Sequence, residues 1–177
     1  VRVLRGNVRR LFNTPFKLNR IRKLSSGDDI AIVSSGISTE EAMKAVKILS
    51  DLNINITLLH VSTLKPFNKK EFLDQIKNIN SGIITMENHT IVGGLGTIIA
   101  EIIAEENLDL KLIRLGLQDT FAHGASLKYL LNEYKINALA VVKACESLMD
   151  ISTNIDQEDI DNAKIDDFMT NSNPEDL

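Results

Sequence analysis

The sequence predicts an α/β fold: a three-layer sandwich around a mostly parallel five-stranded sheet with one antiparallel edge strand. Three observations predict it. Short apolar runs recur around Ile30–Ser34, Ile54–Val61, Ile83–Met86 and Leu110–Leu115, the signature of strands buried on both faces. Between them lie segments with apolar residues at helical spacing, such as Ala42, Ala45, Val46 and Leu49. Capping and turn residues stand at the junctions. Strand and helix alternate repeatedly, which predicts parallel strands joined by right-handed crossovers, with helices on both sheet faces.

The elements follow in order. Residues 1–12 read as a basic strand and an exit loop. Pro15 to Lys23, with Phe16, Leu18 and Ile21, is expected to form the antiparallel edge strand, and Ser25-Ser26-Gly27-Asp28 a turn. Asp29 to Ser34 is the first buried strand. Ser38-Thr39-Glu40-Glu41 has the form of a capping box and opens the first helix. Ile54 to Val61 is the next strand; Lys65-Pro66-Phe67-Asn68 breaks it, and Asn68 with Glu71 caps a helix carrying Phe72, Leu73 and Ile76. Ile83 to Met86, the helix Gly96 to Glu106, and Leu110 to Leu115 continue the alternation. Ser126 caps a short helix with Leu127, Leu130 and Leu131, and Asn137 a last one with Val141, Val142, Cys145 and Leu148. After Met149 the pattern gives way to acidic and small polar residues, so 150–177 reads as a disordered or loosely docked tail.

Composition narrows the function classes. With 44% apolar residues but no tryptophan, Ile, Leu, Val and Ala must build the core. No apolar run reaches the ~20 residues of a membrane span, so no membrane partner is expected. One cysteine, Cys145, excludes an internal disulfide and a cysteine-based zinc site, and fits a cytoplasmic location. A start at Val1 with no apolar leader reads as a fragment or a processed chain. The net charge of −4 hides an asymmetry: eight basic residues and no acids precede Asp28, and eight acids with one lysine lie from Ile151 onward. The basic arm lacks interleaved aromatic stacking residues, so a solvated surface or a small-phosphate site reads better than nucleic acid.

The candidate site is Glu87-Asn88-His89-Thr90-Ile91-Val92-Gly93-Gly94-Leu95-Gly96, where a strand end meets a glycine-rich helix start. Gly93, Gly94 and Gly96 form a candidate anion loop, because free N–H groups of a helix start face it. They match neither the dinucleotide fingerprint nor a phosphate loop, and tight helix–sheet packing is the better reading of them. His89 and His123 follow strands and are candidates for one rim of the sheet, as an acid–base pair or as backbone-bonded contact residues. His60 reads as structural and Asp119 as a loop cap. Ser34-Ser35-Gly36 reads as loop capping or an anion-binding start.

Taken together, five segments resemble the C-terminal domain of the transketolase family: Ile30 to Gly36, Leu64-Lys65-Pro66-Phe67, Glu87 to Gly96, Ile113-Arg114-Leu115-Gly116 and Phe121-Ala122-His123-Gly124. The resemblance implies that 1–12 is the end of a pyrimidine-binding domain, 13–149 the C-terminal domain and 150–177 an acidic tail. Arg2-Val3-Leu4-Arg5-Gly6 resembles the Arg-Tyr-Pro-Arg-Gly segment of 1-deoxy-D-xylulose-5-phosphate synthases, which makes Arg5, and secondarily Arg2, the implied contacts to a sugar phosphate. Paired, charge-assisted hydrogen bonds suit guanidinium to that role. The family resemblance implies two-carbon ketol transfer with thiamine diphosphate and Mg²⁺. The Gly-Asp-Gly motif and the activating glutamate that serve the cofactor are not in this sequence. The implied partners are therefore N-terminal thiamine-diphosphate-binding domains or a separate subunit, in a homodimer or heterotetramer. This chain would brace the dimer and line the active-site entrance with Glu87, His89 and His123. Phe121-Ala122-His123-Gly124 replaces the Phe-Gly-Glu-Ser of many transketolases, which leans toward the synthase branch or a split subunit. A freestanding anion- or nucleotide-binding regulatory module is the reading from another class.

Overall fold

The computed structural model describes residues 9–163 of the chain. The apolar runs form β1 (Ile21–Ser25), β2 (Ile30–Ser34), β3 (Ile56–Val61), β4 (Gly82–Thr90) and β5 (Lys111–Leu117). They make one sheet in the order β1-β3-β2-β4-β5. β1 runs antiparallel to β3, and the remaining pairings are parallel. The helices are α1 (Ser38–Asp51), α2 (Lys69–Ile76), α3 (Leu95–Glu105), α4 (Leu127–Glu133), α5 (Ala138–Met149) and α6 (Gln157–Asn162).

Alternation along the strands splits the core into two layers. Ile30, Ile32, Ile56, Leu58, Ile84 and Met86 pack with apolar residues of α1, α5 and α6. Ala31, Val33, Leu59, Val61 and Ile83 face the other way, toward Phe72 and Ile76 of α2 and Leu95, Ile99 and Ile102 of α3. Both faces of the central strands are thus apolar, which is why they read as continuous hydrophobic runs. Each fully buried Leu or Ile contributes about 1.5–3 kcal/mol relative to exposure.

From β2 the chain adds β3 on one side, then passes back across β2 to place β4 on the other. The carboxyl ends of β2 and β4 therefore flank a topological switch point, where open α/β sheets form a crevice.

Several local expectations need correction. The edge strand begins at Ile21, not Pro15, and extends through Ser25. Asn19 takes a left-handed φ of 64° and its carbonyl accepts from Asn68, so the extended run cannot start earlier. Phe16 and Leu18, placed on the strand by their apolar character, are 65% and 70% exposed. The capping box at Ser38 does not form: the N-cap is Ile37, without a side-chain cap. Glu41 instead accepts the backbone N–H of Ala138, 3.0 Å away at the start of α5. A long-range bond has taken over a side chain that local spacing assigned to its own helix. The caps at Asn68, Ser126 and Asn137 do form, each accepting from the backbone N–H three residues on.

Residues 150–163 are not a disordered tail. Asp156 and Asp159 make a reciprocal capping box for α6, and Ile155 and Ile160 are buried in the core against α1 and α5. The remainder of the acidic segment, 164–177, lies outside the described residues, as does most of the expected 1–12 strand.

Candidate functional site

β2, β3 and β4 end on the same edge of the sheet, and their loops enclose a cleft of about 500 Å³ at the switch point. Ser35 and Gly36 follow β2, His60 and Ser62 come from the end of β3, and Glu87 and His89 come from β4. β4 runs past the predicted end at Met86 to Thr90, with a shift of its pairing with β5 in that stretch. Such irregularities re-aim side chains at strand ends.

Glu87 is only 2% exposed, an expensive place for a carboxylate unless it is paired. Its Oε2 accepts the N–H of Leu95 at 2.8 Å and its Oε1 that of Gly96 at 2.9 Å. The side chain thus closes on the N-terminus of α3, where two otherwise unpaired donors and the helix dipole favour negative charge. Gly94 makes this possible. A Cβ there would stand 2.0 Å from Glu87 Oε2. Its φ is −99°, so the requirement is for close approach and not for a left-handed conformation. Gly93, in contrast, has φ +74° with open space around it, and its N–H donates to Thr97 Oγ1 at 2.9 Å. The three glycines therefore do different work: Gly93 turns the chain, Gly94 admits the carboxylate and Gly96 bonds to it.

The two candidate histidines occupy different settings. His89 is exposed on the cleft, with Nδ1 3.1 Å from the Thr90 carbonyl. His123 is exposed on the loop before α4; its Nδ1 lies 3.2 Å from the Tyr134 hydroxyl and its ring meets Tyr129 edge-on. Among the described residues no hydrogen bond joins them. Asp119 sits in a turn with φ +39°, its N–H donating to the Leu117 carbonyl. Arg5 and Arg2 lie outside the described residues.

Sequence reasoning passed over a second buried set. His60 is 8% exposed, with Nδ1 2.7 Å from Thr39 Oγ1, which lies 3.0 Å from Ser34 Oγ. Ser34 in turn donates to the Leu59 carbonyl at 3.3 Å. Phe12 packs on the His60 ring, centroids 4.7 Å apart, and carries the Arg22 guanidinium at 4.8 Å. Arg22 also donates to the carbonyls of Thr14 and Pro15, so it clamps the incoming segment onto the sheet. Burial, and then the nearby Arg22, push the His60 imidazole down to about 4. These groups are scattered from residue 12 to residue 60, and the only local signal was a histidine inside an apolar strand.

The model described as the transketolase C-terminal domain matches residues 19–141. The chain belongs to this family. The transketolase C-terminal domain accounts for the whole sheet and for the cleft at its carboxyl edge. A transketolase C-terminal section of Methanocaldococcus jannaschii is 31% identical over 128 residues, 72% of this chain and 39% of the relative. A 1-deoxy-D-xylulose-5-phosphate synthase of Halothermothrix orenii is 32% identical over 128 residues, 72% of this chain and 20% of the relative. A solved split-gene transketolase, an inactive β4 tetramer, superposes with a TM-score of 0.74 at 27% identity, covering 84% of this chain and 48% of its own. The chain thus spans less than half the length of these relatives. Among the described residues no group of three or more His, Cys, Asp or Glu side chains is arranged to hold a metal ion. No helix among them is long and apolar enough to cross a membrane.

Proposed function

We propose that this chain is the non-catalytic C-terminal part of a thiamine-diphosphate-dependent, transketolase-type transferase that moves a two-carbon ketol unit between sugar phosphates in the cytoplasm. The observation that carries this reading is the match of residues 19–141 to the transketolase C-terminal domain. The likeness to a split-gene subunit supports it. Thiamine diphosphate and Mg²⁺ would be held by N-terminal domains or a companion subunit, in a homodimer or heterotetramer. The cofactor supplies the carbanion-stabilising chemistry there. The residues of this chain would brace the assembly. Glu87 orders the start of α3, while His89 and His123 stand at the sheet rim or an interface. Arg5, with Arg2, would contact the substrate phosphate.

The test mixes the chain with the polypeptide that carries the diphosphate-binding domain and follows ketol transfer. Activity is expected only in the mixture. Arg5→Ala should raise KM for phosphorylated sugars with little change for free ones, since a phosphate contact acts through charge. Turnover by the 177-residue chain alone would overturn the proposal. A deoxyxylulose-phosphate synthase is the second reading, favoured by the identity to the Halothermothrix orenii enzyme. It predicts formation of 1-deoxy-D-xylulose 5-phosphate, in place of ketol transfer, by the same mixture.

A further inference from the structure

Helix α4 is seven residues long, and none of them is buried. So short a helix does not hold itself in water and draws its stability from packing. Its N-cap forms, with Ser126 accepting from the Tyr129 N–H, but its apolar face is unfinished. Leu127 is 51% exposed, and Leu131 reaches the core only partly buried. Beside this face lies a groove of about 530 Å³, lined also by Ile37 ahead of α1 and Ile160 of α6. Among the described residues its rim carries three cations and three acids. Charge therefore selects no ligand there, and an occupant has to be held by apolar burial.

The course of the chain names that occupant. Ala163, the last described residue, lines the groove, so the chain passes into 164–177 from its wall. Ile165, Phe168 and Met169 follow within six residues. At about 3.3–3.6 Å per residue, Phe168 can stand anywhere within about 17 Å of Ala163. The i, i+3, i+4 spacing of the three apolar residues matches one face of a helical turn, with Asp166 and Asp167 between them. The stretch just before docks by the same means: Ile155 and Ile160 are buried in the core although Asp156, Glu158 and Asp159 surround them in sequence. A site reached through a few residues of tether also sees its ligand at a millimolar effective concentration, which a separate chain seldom matches.

We propose that Ile165, Phe168 and Met169 of this same chain pack into the groove between α4 and α6, with Phe168 on Leu127 and Leu131, and so strap α4 to the domain. The strap is independent of the transferase reading. It has a consequence at the sheet rim. The Tyr129 ring of α4 meets His123 edge-on, and the Tyr134 hydroxyl at the end of α4 lies 3.2 Å from His123 Nδ1. Fixing α4 therefore fixes the loop that carries Phe121 and His123.

The test is NMR on the full chain. Nuclear Overhauser contacts are expected between the Phe168 ring and the methyl groups of Leu127 and Leu131. In a mixture of ring-labelled and methyl-labelled chains, where only contacts between chains register, the same peaks should be absent. In Phe168→Ser, hydrogen exchange at the Leu130 and Tyr134 amides, which donate to the Ser126 and Leu130 carbonyls, should quicken about tenfold, while β2 and β4 keep their rates. Phe168→Leu should retain most of the protection. Missing contacts, contacts seen only between chains, or α4 exchange that ignores Phe168→Ser would each overturn the proposal.

Discussion

Gly94→Ala offers a direct test of how the candidate site is built. The added methyl would sit 2.0 Å from Glu87 Oε2 and 2.8 Å from its Cδ, so the carboxylate must leave its position. Leaving breaks the bonds to Leu95 N–H and Gly96 N–H, both at buried residues. Hydrogen bonds to a charged group contribute about 1.5–3 kcal/mol each, and the buried donors left behind are costly. The expected loss is therefore about 3–5 kcal/mol, large against a total stability of about 5–15 kcal/mol. Gly93→Ala is the control. Its Cβ meets nothing within 4 Å, and only the φ of +74° opposes it, at about 1–2 kcal/mol. Urea denaturation followed by circular dichroism measures both. In the Glu87→Ala background the colliding group is gone, so Gly94→Ala should cost much less there, and the double-mutant cycle should give a large coupling energy. A loss under about 1 kcal/mol for Gly94→Ala, or simple additivity with Glu87→Ala, would refute the claim that this glycine exists to admit that carboxylate.

Two further outcomes are expected. His60 is depressed to about 4 in the folded chain from an ordinary value of 6.5, so between these pH values the unfolded chain binds more protons. Its contribution to stability is complete above pH 6.5 and is lost as pH falls toward 4; denaturation midpoints at pH 7 and pH 5 should differ, and His60→Asn should remove that part of the slope. Ile160→Ala should lower stability by about 2–4 kcal/mol in thermal or urea unfolding, because its side chain is 4% exposed in the core beneath α1 and α5; a neutral result would mean that α6 does not dock.

The acidic end shows how a legible signal is outweighed by a compositional one. Asp156, Glu158, Asp159 and Asp161 point to a solvated tail, yet Asp156 and Asp159 are spaced as a capping box, and Ile155 and Ile160 find core positions. Glu146 reinforces this packing. Lys143 and then Thr153 hold its carboxyl down at about 2, tying the end of α5 to the segment leading into α6. Composition describes an average over the segment, whereas docking depends on two side chains.

The sequence alone determined the alternation of strands and helices, the antiparallel edge, the caps at Asn68, Ser126 and Asn137, and the location of the candidate site at a strand end. These depend on periodicity and on contacts within a few residues, so they are written locally. Tertiary structure decided where polar side chains spend their hydrogen bonds. Glu41 serves α5 in place of α1, Glu87 fills the helix start that resembled an anion site, and His60 is oriented through Thr39 and Ser34. A carboxylate or imidazole can satisfy itself with any partner that the fold brings within about 3 Å, and proximity across the sheet carries no trace in sequence spacing.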